Sequence, residues 1–469
     1  MAITNKLRAL LHRKKWEPLT TCPTANAAGG TIVAADLGTQ MSRIFFICSA
    51  ALIYTYYGAE DAFVQIKTSG LGGTFGVGTC AEFHPDGPSG TATAGTTTSF
   101  TTNLTIVRDM RGHQVLITAG PNAGQVVTIK SNTIGANSVI TIVETMGTAF
   151  TAASTYVLKT GRLFLFIGSA TAPVMGYYDW ALDTWTARVT TGVPTSFLIE
   201  GQLVAADSKR TGILVADSTA TSATATTIVD TGKAWVVNAL ANFQVRITSG
   251  TGAGQRRSIT SNTATTLTVP AWTINPDATS HFVVEGNDDY MYLLGNGAVA
   301  TYRYSMSGNT WTTLAPGAAR SGAPGAGMTA DIPMGVADAD WNQVTQPWNG
   351  RYIYSFRGGA GALMDRYDIA LNAWAAVTYG NQQETFTTGT NSVINRERIY
   401  INKDSTNRIL YFDVVLNAMR PFTTLQYGMG TASVGDKMAI LDYKDGDEVD
   451  FLYLWRSTGV EFFRIMEIK

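Results

Sequence analysis

At 469 residues the chain is long enough for two or three ordinary domains or one repeat fold, and its 45% hydrophobic content, with 10 Trp, 19 Tyr and 19 Phe, can fill a large core. Charged residues make up only 15%, against about 25% in an average soluble domain, and the formal net charge of −1 speaks against nucleic acid as a direct partner. Three cysteines, Cys22, Cys48 and Cys80, with no CxxC pair, argue against a disulfide framework and a thiolate zinc site and read as reduced thiols made in a cytosol.

Residues 1–30 form an N-terminal arm. Ile3, Leu7, Leu10 and Leu11 fall on one side of a short helix, while Lys6, Arg8, Arg13, Lys14 and Lys15 supply charge. The start lacks the apolar stretch and cleavage site of a secretory signal. One apolar stripe wants a partner, so the arm is expected to dock on another subunit, and removing Met1 to Trp16 is expected to leave a folded protein. Residues 31–90 carry SRIFFICSAALIYTYYGAEDAFVQI from Ser42. Its apolar stretch is too short and too rich in β-branched and aromatic residues for a membrane-spanning helix, and predicts a buried strand pair.

Residues 91–160 read as a first inserted β-module and 211–286 as a second. VLITAGPNAGQVVTIKSNTIGANSVITIV from Val115 aligns with VRITSGTGAGQRRSITSNTATTLTV from Val245. Ile117 matches Ile247, Ala123-Gly124-Gln125 matches Ala253-Gly254-Gln255, Ser131-Asn132-Thr133 matches Ser261-Asn262-Thr263, and Ala153 is aligned with Ala278. Apolar and polar positions alternate between Gly-rich and Ser-Asn turns, the pattern of a half-buried meander. The Thr/Ala/Ser tracts Ser89 to Thr102 and Ser218 to Thr227 are expected to bound the modules, which are placed in the gaps between the other repeats.

Those other repeats occupy 161–210 and 287–469. RLFLFIGSATAPVMGYYDWALDTWTARV begins at Arg162, DYMYLLGNGAVATYRYSMSGNTWTTLA at Asp289, RYIYSFRGGAGALMDRYDIALNAWAAV at Arg351 and ERIYINKDSTNRILYFDVVLNAMRPFT at Glu397. Each opens with an apolar strand, turns through Gly or polar residues, runs through a Tyr-rich strand and closes on Trp185, Trp311, Trp374 or Met419. Weaker copies begin at Ser42 and Asp447. In strand, Gly turn (paired at Gly358 and Gly359), Tyr strand and Trp, the chain resembles the kelch family. The resemblance implies an all-β, kelch-like β-propeller of about six blades, with a Trp filling each wedge between blades. The last copy has no room for an outer strand, and Thr31 to Leu37 is expected to complete it and remove an edge.

The phrase ITSGTGAGQRRSITSNTATTLTV, followed by Trp272 and PDATS, is similar to a segment of virion structural proteins of tailed bacteriophages. This resemblance implies a role in assembly. Catalysis has no visible centre: His12, His84, His113 and His281 lie in no HExxH motif, and there is no GxSxG. Cys80 and His84 lack further ligands nearby and read as loop residues. The turns at Gly124 and Gly254 run strand to strand, unlike a phosphate loop. SMSGNTW, ending at Trp311, resembles a sialidase Asp-box without its Asp. The run Asp442, Asp445, Asp447, Glu448, Asp450 lacks calcium-loop spacing and reads as a hairpin around Asp445-Gly446.

The expectation is therefore a phage virion structural protein and not an enzyme, a tail nozzle, adaptor or collar component made in the host cytoplasm. It would bind no cofactor or metal, span no membrane, form a homo-oligomeric ring and contact other virion proteins. The rival expectation is a propeller that binds or cleaves a host glycan.

Overall fold

A computed structural model describes residues 16–25, 30–35, 37, 42–48, 52–58, 60–66, 70–71, 79–123, 125–168, 172–193, 202–206, 213–235, 237–238, 240–241, 243–285, 289–294, 301–316, 324–330, 352–357, 364–369, 372–379, 391–395, 398–402, 406, 408–414, 416–424, 436–442, 449–456 and 460–468. The expected helix with Ile3, Leu7, Leu10 and Leu11, the glycines Gly358 and Gly359, and the Asp445-Gly446 turn lie outside these residues. Every regular element among the described residues is a β-strand.

Six four-stranded antiparallel meanders recur along the chain. Sheet I comprises Thr31–Ala35, Arg43–Ile47, Ile53–Tyr57 and Ala62–Gln65, and sheet II comprises Cys80–His84, Arg162–Ile167, Val174–Asp179 and Thr184–Arg188. Sheet III holds Gln202–Ala206, Tyr290–Leu294, Thr301–Ser305 and Thr310–Leu314. Sheet IV holds Pro324–Ala330, Tyr352–Arg357, Met364–Asp368 and Ala373–Val377. Sheet V holds Asn391–Asn395, Arg398–Asn402, Arg408–Asp413 and Ala418–Thr424. Sheet VI holds Lys437–Asp442, Val449–Trp455, Phe462–Ile468 and, from the other end of the chain, Glu17–Pro18. Second strands such as RLFLFI are buried at nearly every position because both faces of each sheet are covered.

The chain divides into two compact units, 1–190 with 194–201 and 425–469, and 191–193 with 202–424. In the first unit, Ile32, Ile44 and Phe46 of sheet I share a core with Phe451, Tyr453 and Trp455 of sheet VI. The opposite face of sheet I, with Val33, Phe45 and Ile47, packs with Phe83, Leu163 and Leu165 of sheet II. In the second unit, Tyr292 of sheet III meets Ile353, Tyr367 and Trp374 of sheet IV. The other face of sheet IV, with Tyr354 and Phe356, packs on Ile399, Leu410 and Phe412 of sheet V.

Two expectations on connectivity are corrected. Thr31–Ala35 is the first strand of sheet I, paired with Arg43–Ile47, and the outer strand completing sheet VI is Glu17–Pro18, with Glu17 opposite Arg464. The apolar run Thr31–Ala35, with Ile32 and Val33 buried on opposite faces, suits a strand covered on both sides, whereas Pro18 can sit only at an edge. The modules, in turn, lie inside sheets and not between them. The first enters sheet II between Cys80–His84 and Arg162–Ile167, and the second enters sheet III between Gln202–Ala206 and Tyr290–Leu294. Insertion there is tolerated because each module's first and last strands pair with each other, Ser89–Gly95 with Thr155–Lys159 and Ile213–Thr219 with His281–Glu285, which returns the chain to its point of departure.

The first module closes as a six-stranded barrel of Ser89–Gly95, Ser99–Thr102, Val139–Ile142, Val126–Asn132, Gln114–Ala119 and Thr155–Lys159. The tract Ser89 to Thr102, expected as a boundary, is thus two of its strands, with Ala92 and Phe100 pointing inward. In the second module Ser222–Thr224 and Thr227–Val229 likewise form strands.

Candidate functional site

A hairpin corner recurs wherever the third strand of a sheet turns into the fourth. An aromatic residue leads, Asp or Asn follows five positions on, and a second large side chain stands two further: Tyr56/Asp61/Phe63, Tyr178/Asp183/Trp185, Tyr304/Asn309/Trp311, Tyr367/Asn372/Trp374 and Phe412/Asn417/Met419. Each Asp or Asn adopts a left-handed φ of 48 to 52°, a conformation that these two residue types tolerate better than other non-glycine residues. The tyrosine hydroxyl donates to the turn side chain, at 2.7 Å for Asp61, 2.9 Å for Asn309 and 2.7 Å for Asn372, and likewise to Asp183. The aromatic pairs lie opposite in register, with ring centres 5.3 Å apart for Tyr178 and Trp185, 5.0 Å for Tyr304 and Trp311, and 5.1 Å for Tyr367 and Trp374.

Trp311 and Trp374 are buried, and Trp374 donates its indole N–H to Thr301 Oγ1 of sheet III at 2.9 Å. Met419 is buried in the same position of sheet V. Trp185 differs: it is half-buried and packs on the edge of its core, so it is less of a core residue than the repeat pattern led us to expect.

The corners also serve as docking points. Asn372 Nδ2 donates to Ala315 O just past sheet III at 3.1 Å, and Asn417 Nδ2 to Thr378 O just past sheet IV at 2.8 Å, so each sheet fastens to the one before. Asp61 receives the backbone N–H of Thr20, at 3.0 and 3.2 Å to its two oxygens, from the N-terminal segment. At sheet II the partner is the barrel. Arg108 donates through Nη2 to Asp183 Oδ1 at 2.8 Å and to the Tyr178 hydroxyl at 2.9 Å, and through Nε to Trp180 O at 2.9 Å.

Around this contact lies a cluster of polar and aromatic groups. The buried Arg43 guanidinium sits 4.1 Å from the centre of the Trp180 ring and donates to Thr160 O at 2.7 Å. Burial lowers its pKa to about 10, so it remains a cation at neutral pH. The ring of His113, from the barrel, lies 5.1 Å from Trp180, with Nδ1 3.3 Å from Lys159 O. Burial, then the charge of Arg43, push the pKa of His113 down to about 3, which leaves it neutral. Burial also works against the charge of Arg108, but Tyr178 and Asp183 more than offset it and hold its pKa above the ordinary value. This constellation can fasten a module to a sheet. The adjacent cavity, lined by Leu37, His113, Gln114 and Lys159, has room for about one water molecule and none for a substrate.

Cys80 and His84 are buried strand residues of sheet II and not loop residues, as the alternation of CAEFH opposite Arg162–Ile167 requires. Cys80 and Glu82 share a strand face with His84, yet Glu82 accepts from Phe83 N–H at 3.0 Å and His84 Nδ1 from Asp86 N–H at 3.2 Å, while burial pushes the Cys80 thiol up. Among the described residues no three His, Cys, Asp or Glu are grouped to hold a metal, and no helix is long and apolar enough to cross a membrane.

The landmarks shared by the modules are structural. Asn132 Oδ1 accepts from Met110 N–H at 2.7 Å and Asn262 Oδ1 from Leu240 N–H at 2.8 Å, while both side-chain amides donate to the next residue's carbonyl. Ile117 N–H donates to Gln125 O and Ile247 N–H to Gln255 O, each at 2.9 Å, and Ala253-Gly254-Gln255 lies in a tight strand-to-strand turn, while Gly124 is outside the described residues. The alignment shifts by one residue near the end. Gly120 faces Ala153 O and Gly250 faces Thr279 O, so Ala278 corresponds to Ala152 and not to Ala153. The loop between Trp272 and Ser280 has its own hydrogen bonds, centred on Asp277, and contributes no alternation to anchor a sequence alignment.

The corner could have been found in the sequence from the spacing Tyr-x4-Asp/Asn-x-Trp. Nothing local marks Arg108, 75 residues from Asp183, as its partner. No family model matches the sequence, and no curated protein is similar to it. Among solved structures, a chain from the "Crystal Structure of Mitotic Checkpoint Complex" aligns over 97% of this chain and 95% of its own, with 8% identity and a TM-score of 0.38.

Proposed function

We propose that the six meanders are the blades of one kelch-like propeller and that the protein is a non-enzymatic assembly subunit. Support for the propeller comes from six sheets of one topology in chain order, the first strand of each leading, and from Glu17–Pro18 completing the sheet that contains the C-terminal strands. Such a ring has no free beginning or end, which suits a rigid block.

Within that class, the reading we favour is a structural protein of a phage tail, of the nozzle, adaptor or collar kind, that forms closed rings and contacts other virion proteins. The observation that carries the assembly role is the pair of homologous modules inserted at the same strand junction of two sheets, each a self-paired unit. The described polar clusters are spent on corners, turns and the module joint, an economy expected of a scaffold. Electron microscopy and mass spectrometry of purified virions test the role. The protein should be present in stoichiometric, symmetric copies, and a monomer absent from virions would sink the idea. A glycan array with a reducing-sugar assay reads the rival, since binding or release there would move the protein to host-surface recognition.

A further inference from the structure

The segment from Trp16 to Thr24 works as a strap across the seam between sheets VI and I. Its strand Glu17–Pro18 lies on the edge of sheet VI, and Leu19 N–H and Cys22 N–H continue that edge with bonds to Phe462 O and Val460 O at 2.9 and 2.8 Å. On its other side, Thr20 N–H bonds Asp61, and Thr24 Oγ1 lies 3.1 Å from the Tyr54 hydroxyl, both in sheet I. Between these ties Cys22 is buried in the same core cluster as Cys48, which follows the strand Arg43–Ile47 and is fixed by its N–H to Leu52 O at 2.9 Å. The two thiols lie close enough for each to shift the other's pKa.

We propose that Cys22 and Cys48 form a disulfide-forming pair whose oxidation pins the N-terminal strap to sheet I. The third thiol, Cys80, lies in sheet II without a thiol partner, and burial raises its pKa, so it is the inert member of the set. Of the pair, Cys22 ionises first: the neighbouring Cys48 thiol lowers its pKa, while Cys22 and burial raise that of Cys48. With a disulfide such as oxidised glutathione as oxidant, the Cys22 thiolate attacks one glutathione sulfur and expels the other as thiolate. Cys48, losing its proton, then attacks Cys22 and expels the second glutathione. Two protein thiols lose two electrons and two protons, one S–S bond forms, and one glutathione disulfide becomes two thiols. Both sulfurs are buried, so the reagent reaches them only when the strap lifts, and the rate of oxidation reports that opening.

The test uses the full-length folded protein incubated with excess oxidised glutathione, then denatured under acid. Titratable thiols should fall from three to one, and a proteolytic map should show the Cys22 and Cys48 peptides joined within one chain. The oxidised protein should melt about 2 to 4 °C higher, from the constraint on the loop between the two residues. The Cys80→Ser variant should behave in the same way, and Cys22→Ser or Cys48→Ser should show neither the linked peptide nor the shift. Three thiols remaining after incubation at a temperature just below melting would overturn the proposal. So would a linkage that includes Cys80 or joins two chains, or glutathione held on Cys22 or Cys48 without their joining.

Discussion

The two modules share one six-stranded circuit and differ in how it is held. In the first, the bends between Ala92 and Ala94 and between Ile129 and Ser131 are register shifts within continuous strands, and the barrel closes. In the second, the chain breaks between Ile213–Thr219 and Ser222–Thr224, and between Arg256–Ser258 and Ser261–Asn262, leaving two four-stranded sheets. The joints differ more. Arg108 and His113 of the first correspond, by their bonds to the Asn132 and Asn262 loops, to Asn238 and Phe243 of the second. Where Arg108 reaches out to the corner of sheet II, Asn238 turns inward to accept from Asn262 N–H at 3.3 Å. Both cores run on into the sheets, the first with Phe83, Leu163 and Trp180, the second with Tyr292, Tyr367 and Trp374. A duplicated module can therefore be mounted on an apolar base with or without an added ion-paired tie, and that difference rests on two or three side chains.

The apolar contacts of either joint should be more sensitive to truncation than the ion pair. Trp374→Ala is expected to destabilise the second unit by about 3 to 5 kcal/mol, as for other buried large side chains, while Trp185→Ala, at a half-buried site, should cost about half as much. Chemical denaturation followed by hydrogen exchange in each unit measures both, and equal costs would erase the distinction.

Acid should separate the joints next. The unfolded chain protonates His113 below about pH 6.5, whereas the folded chain does so only near 3, so this part of the stability is whole above pH 6.5 and is lost as pH falls towards 3. The slope approaches about 1.4 kcal/mol per pH unit, or about 2 kcal/mol at pH 5. His113→Phe, which installs the second module's residue, should abolish that slope in the first unit. Melting curves from pH 7.5 to 4.5 on both proteins check it.

A smaller loss is expected from Arg108→Asn. The ion pair with Asp183 is partly exposed, at 24% and 34% of the two side chains, so about 1 to 2 kcal/mol is lost once solvent screening is allowed for. Asn238→Arg, made in the second module, should gain nothing. The smallest effect is expected at the corners themselves: Tyr304→Phe removes one hydroxyl from Asn309 and should cost about 0.5 to 1.5 kcal/mol, since Phe412 fills the same place in sheet V.

Excision also sharpens the comparison. A cut from Thr102 to Thr160 would part Ser89–Gly95 from Thr155–Lys159, so the first module should be removed between His84 and Arg162, and the second between Ala206 and Tyr290. At the N-terminus a truncation through Trp16 removes one of the largest fully buried side chains. A cut ending at Lys15 tests the arm and spares Trp16.

Much of this architecture is written locally. Alternation and Gly or Asn turns act over a few residues, so the strands of RYIYSF and RILYFD, the duplicated modules and the Tyr-to-Trp corners can be read directly from the chain. Pairings that close long loops leave no such trace, because any edge strand with a suitable face competes for them. Only the tertiary structure decided that Glu17–Pro18 and not Thr31–Leu37 completes sheet VI, that Arg108 seeks Asp183, that Trp185 stays half-buried while Trp374 does not, and that Cys22 meets Cys48. Each of these depends on which surface remains uncovered once the local elements have packed.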